Sequence, residues 1–94
     1  MPIGSLILTL HLPGIHSLKA KRSIIKPMLV RLRKEFNVSA AEIGLQDHWQ
    51  DAQIQIVAVG ENARIMDASM QEIYHFFQIN WPEIVIANES FEII

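Results

Sequence analysis

The chain has 94 residues, half of them hydrophobic, and no cysteine, which is enough for one core in one domain over residues 1–94 and excludes disulfides, thiolate metal sites and thiol nucleophiles. Its formal net charge of −2 hides a dipole: seven of the eight basic residues lie between Lys19 and Lys34, every acid comes later, and the halves carry +7 through residue 34 and −9 beyond it. So concentrated a cation run points to an anionic partner, foremost RNA phosphate, and the lack of cysteine fits a reducing, cytoplasmic setting.

In Ser5-Leu6-Ile7-Leu8-Thr9-Leu10-His11-Leu12, leucine recurs at every second position, the alternation of a strand covered on one face. The run from Ile3 to Leu12 is too short to cross a bilayer and has no basic leader, so neither a membrane anchor nor a signal peptide is expected. Pro13-Gly14 supplies a turn, and Ser17 stands where a helix N-cap belongs. From Leu18 to Phe36 the apolar positions Leu18, Ile25, Leu29, Leu32 and Phe36 keep helical spacing, and Lys19, Arg22, Lys26 and Arg33 fall on another stripe. Pro27 removes one helical hydrogen bond, so a kink or break is expected there.

Asn37 ends this helix, and Ala41, Ile43 and Leu45 alternate as a short second strand. Gln46 to Asp51 form a polar connection to a third strand, in which Ile54, Ile56 and Ala58 face one way and Gln53, Gln55, Val57 and Val59 the other. Asn62 caps a second helix with Met66, Met70, Ile73 and Phe77 inward and Asp67, Gln71, His75 and Gln78 outward, closed by Asn80-Trp81-Pro82. Ile84 to Ile86 and Phe91 to Ile94 read as a fourth strand, bulged or split near Asn88, with Phe91 and Ile93 joining the leucines of the first strand in one core.

The order βαββαβ is that of an α+β, ferredoxin-like domain: a four-stranded antiparallel sheet with both helices on one face. This topology gathers the turn after the first strand, the connection between the second and third, and the turn before the fourth at one end. Ser17, Lys19, Lys21, Arg22 and Lys26 meet Asp47, His48 and Trp49 there, beside the start of the first helix. Lys19, Lys21 and Arg22 oppose the helix dipole, which asks for an anionic ligand. Arg31, Arg33 and Lys34 can equally be a solvated face, and some of the cations can pair with Asp67 or Glu72. Asp47 can be an Asx-turn residue and Trp49 either a core anchor or a stacking platform.

No pair of histidines has helical metal-ligand spacing, so no metal or other cofactor is expected, and no nucleophile–base set nominates an enzyme. The exposed sheet face lacks the base-stacking aromatics of an RRM, and its strip of Ile7, Val57, Val59 and Val85 suits a second subunit.

At His11-Leu12-Pro13-Gly14, Ser17-Leu18-Lys19-Ala20-Lys21-Arg22, Arg31 to Val38 and Gln46-Asp47-His48-Trp49-Gln50, the chain resembles the YlxP-like family, small bacterial proteins of unknown function. The resemblance runs from residue 3 to 94; it implies a ferredoxin-like fold and, through genes that neighbour translation-initiation and ribosome-maturation factors, a role near the ribosome. It implies no catalytic residue. The sequence thus suggests an RNA- or ribosome-associated binding protein; the alternative is an anion- or small-molecule-binding regulatory protein, dimeric through the open sheet face or an edge strand.

Overall fold

The computed structural model describes residues 2–94. The elements are β1 (Ile3–His11), α1 (Leu18–Glu35), β2 (Ser39–Gly44), β3 (Asp51–Val59), α2 (Ala63–Asn80) and β4 (Val85–Ile93). The strands form one antiparallel sheet in the order β2-β3-β1-β4, the ferredoxin-like arrangement, with β2 and β4 at the edges. Both helices pack on one face, α1 beside β2 and α2 over β1 and β4.

Leu6, Leu8 and Leu10 of β1, Ile54 and Ile56 of β3, Ile25, Met28, Leu29 and Leu32 of α1, and all four inward residues of α2 are buried together. At Gly4 a Cβ would run into Met66 and Met70, so the missing side chain lets α2 lie close against β1. The caps form at the expected residues. Ser17 Oγ accepts from the Ala20 N–H at 3.0 Å, and Asn62 Oδ1 accepts from the Ile65 N–H at 2.9 Å.

Three expectations need correction. The helix α1 runs unbroken through Pro27, because Pro27 and Ser23 lie on its exposed side, where water can serve the Ser23 carbonyl, while the buried stripe on either side keeps its packing. The second strand has the opposite phase to the one its apolar residues suggest: Ala40 is buried, Ile43 is exposed, and Glu42 is half-buried on the inner side. Phe91 and Ile93 do lie on the face of Leu6, since Phe91 pairs with Leu6 and Ile93 with Gly4, but α2 does not cover them and each is 38% exposed. The bulge expected near Asn88 falls at Ala87, where the pairing shifts from Thr9–Asn88 to Leu10–Ile86.

Candidate nucleic-acid interface

The three gathered segments do meet. The Leu12 N–H donates to the Gln50 carbonyl at 2.7 Å, joining the β1–α1 turn to the β2–β3 connection. Ile84 and Glu83 line a cleft of about 190 Å³ with Leu12, Pro13, Ile15 and Ile24, which brings in the third segment. Gly14 holds the first turn with a φ of 79°.

Lys21 is not among the exposed cations. It is 1% exposed, and its Nζ donates to the carbonyls of Leu45 at 2.8 Å, Asp51 at 2.9 Å and Gln46 at 3.4 Å. Glu42 Oε2 lies 3.1 Å from the same nitrogen without receiving a directed hydrogen bond. An ammonium has only three protons, and the three carbonyls take them, so Glu42 balances charge rather than completing the hydrogen bonding. Lys21 therefore cannot serve as a phosphate ligand; it is the latch that holds the β2–β3 connection against the first turn of α1. The spacing carried the signal, because Lys21 lies three residues after Leu18 and four before Ile25, on the core stripe.

The latch also bears on Leu45, whose φ of 59° is the left-handed region that a branched side chain enters at a cost of about 1–3 kcal/mol. The bond from Lys21 to its carbonyl fixes that conformation. The turn closes by the His48 N–H donating to the Leu45 carbonyl at 3.0 Å, not by an Asx bond from Asp47. Asp47, His48 and Trp49 are exposed, Trp49 by 54%, so Trp49 is presented to solvent and does not anchor the core. At the root of the connection His11 Nδ1 and Asp51 Oδ1 lie 3.0 Å apart, a contact set by the β1–β3 register that sequence reading missed.

Lys19, Arg22 and Lys26 are exposed, and among the described residues none makes a salt bridge; the alternative pairing with Asp67 or Glu72 does not form. They share a flank of α1 with Arg33, whose Nη1 donates to the Ala40 carbonyl at 2.7 Å and so places this flank beside β2. Ser17 is exposed at the head of the helix, its Oγ engaged as the cap. Arg31 points to the other side. It lies 5.4 Å from the ring centre of Phe76 and 5.6 Å from that of Trp81, and donates to Asn80 Oδ1 at 2.6 Å, holding the seam between the helices. Trp81 belongs to this seam, with ring centres 5.1 Å from Phe77 and 6.0 Å from Phe76.

Among the described residues no three His, Asp or Glu side chains come together as metal ligands. On the open sheet face Gln55 donates to Ser5 Oγ at 2.9 Å and Gln53 to Thr9 Oγ1 at 3.3 Å, so β1 and β3 present paired polar groups where an RRM presents rings. Among the described residues no helix is long and apolar enough to cross a membrane.

A small α+β protein with a latched loop and an unpaired cationic helix flank is the class these features define. Residues 3–90 match the family described as protein of unknown function (DUF503), and the chain belongs to that family. It is 40% identical over 68 residues, 72% of this chain and 73% of the relative, to uncharacterized protein YlxP of Bacillus subtilis (strain 168). Two of the motifs that carry the resemblance, at residues 17–22 and 47–50, form one physical unit, since Lys21 of the first grips the backbone carbonyls that flank the second.

Proposed function

We propose that this is an RNA- or ribosome-associated binding protein of the cytoplasm, not an enzyme, that holds phosphates on Lys19, Arg22 and Lys26 and stacks a base on Trp49. The observation that carries the reading is the unpaired state of these three exposed cations, with no acid in the first turn of α1. Lys19, in the first turn, opposes the helix dipole by about 0.3–1 kcal/mol at an exposed site, and a bound phosphate reverses the sign of that interaction. Trp49 stands on a loop whose backbone is fixed to the same helix turn, so the stacking surface and the charges keep a constant relation.

Crosslinking to RNA in cells, followed by sequencing, tests this. The parent should crosslink through residues 17–26 and 47–49 and sediment with ribosomal particles at low salt. The double variant Lys19→Glu, Arg22→Glu should do neither while melting at or slightly above the parent, because both side chains are exposed and an acid near the helix start suits the dipole. Equal crosslinking by the two proteins would dismiss the site.

A further inference from the structure

The opposite flank of the molecule has the opposite chemistry. After Arg64 the sequence contains no Lys or Arg, while Asp67, Glu72, Glu83, Glu89 and Glu92 follow. Between α2 and β4 lies a cleft of about 440 Å³ floored by Leu6, Met70 and Phe91 and flanked by Tyr74, Asp67 and Glu89. Burial, and then the Glu89 carboxylate, push the Tyr74 hydroxyl above its ordinary value of 10.0, so it remains a hydrogen-bond donor at neutral pH.

Beside the cleft, β4 has a free edge, and the ladder shows which of its groups are available. Ile3 and Ile94 exchange both backbone hydrogen bonds, at 3.3 and 2.8 Å. Alternation then turns Ser90 and Glu92 toward β1, and directs the N–H and C=O groups of Glu89, Phe91 and Ile93 outward. The same three residues share the helix-side face of Leu6 and Leu8. One short stretch therefore offers unpaired backbone groups, two exposed apolar side chains and a carboxylate in strand register.

We propose that this edge and cleft dock an extended basic segment of another protein, added as a further strand beside β4. In antiparallel register its helix-side residues fall opposite Ile93, Phe91 and Glu89 in turn. Two apolar side chains cover the exposed Ile93 and Phe91, and an Arg or Lys meets the Glu89 and Asp67 carboxylates. Charge favours this occupant over a second copy of the chain, because self-pairing of β4 would add another Glu89 and Glu92 to an edge that has no cation. The docking surface is independent of the RNA reading.

The test uses the capped peptide acetyl-Thr-Val-Thr-Val-Thr-Arg-Thr-amide and amide NMR shifts of the labelled whole chain. Binding with a dissociation constant on the order of 100 μM, with shifts centred on residues 89–93, is expected. Replacing the peptide Arg by Glu, or Glu89 by Lys in the protein, should weaken binding about tenfold or more. Glu89→Pro deletes an outward N–H while sparing the bonds to β1, and should abolish docking with the other amide positions retained. Lys19→Glu, Arg22→Glu should bind the peptide as the parent does. No binding, equal binding of the Arg and Glu peptides, or a dimer that Glu89→Pro dissociates would overturn the proposal, the last by assigning the edge to a second copy.

Discussion

Lys21→Met is the most informative single change in this molecule. It leaves the Glu42 carboxylate, whose side chain is 19% exposed, without its counter-charge, and it strips the donor from the carbonyls of Leu45, Gln46 and Asp51. Removing one partner of a buried ion pair costs about 3–5 kcal/mol, and the partial exposure of Glu42 puts this case near 3 kcal/mol. The orphaned carbonyls add to that, though not additively, since water can reach a loosened loop. Against a total stability of about 5–15 kcal/mol this is a large fraction, equivalent to a fall in melting temperature of about 12 °C or more. Urea unfolding followed by circular dichroism measures it. Glu42→Gln should cost less, about 1 kcal/mol, because Lys21 keeps all three carbonyl bonds. Were Lys21 a phosphate ligand, Lys21→Met would leave stability unchanged and weaken RNA binding alone. A loss of stability below about 1 kcal/mol would therefore refute the latch.

Two further outcomes follow from the fold. Pro27→Ala restores an N–H for the Ser23 carbonyl in a helix that is already continuous, and should raise stability by about 1–3 kcal/mol by urea unfolding; no gain would mean that the helix is adapted to the proline. The raised pKa of Tyr74 means that the folded state holds that proton longer than the unfolded chain does. Its contribution is fully present below pH 10.0 and is lost as pH rises through the higher folded value. Tyr74→Phe should therefore lose less stability than the parent between neutral pH and the alkaline range, and identical alkaline profiles would exclude a raised pKa of Tyr74 in the folded state.

What could be read from the sequence divides along a physical line. The second helix was legible because Met66, Met70, Ile73 and Phe77 recur at helical spacing and all four are buried, and both caps were legible because capping is a local interaction. The phase of β2 was not. Its inward residues are Ala40 and Glu42, and a Glu faces inward only because Lys21, on a different element, meets it there. Phe91 and Ile93 were placed on the correct face by alternation, yet their exposure depends on how far α2 extends over an edge strand, which no local pattern encodes. In the candidate site, the exposure of Lys19, Arg22 and Lys26 followed from the helical stripe. The division of labour among neighbouring cations did not: Lys21 went to the latch and Arg31 to the aromatic seam, through partners distant in sequence.

The exposed cation flank at the start of α1 is proposed to neutralise RNA phosphates. The most direct test is the salt dependence of affinity for a short, fluorescently labelled single-stranded RNA, read by anisotropy. With three phosphates engaged by Lys19, Arg22 and Lys26, log affinity should fall against log salt with a slope of roughly −2. Lys19→Glu, Arg22→Glu should abolish binding, and Trp49→Ala should weaken it with the slope kept, since stacking releases no counterions. A flat salt profile, or unchanged affinity in the charge-reversed variant, would exclude this flank as the phosphate site.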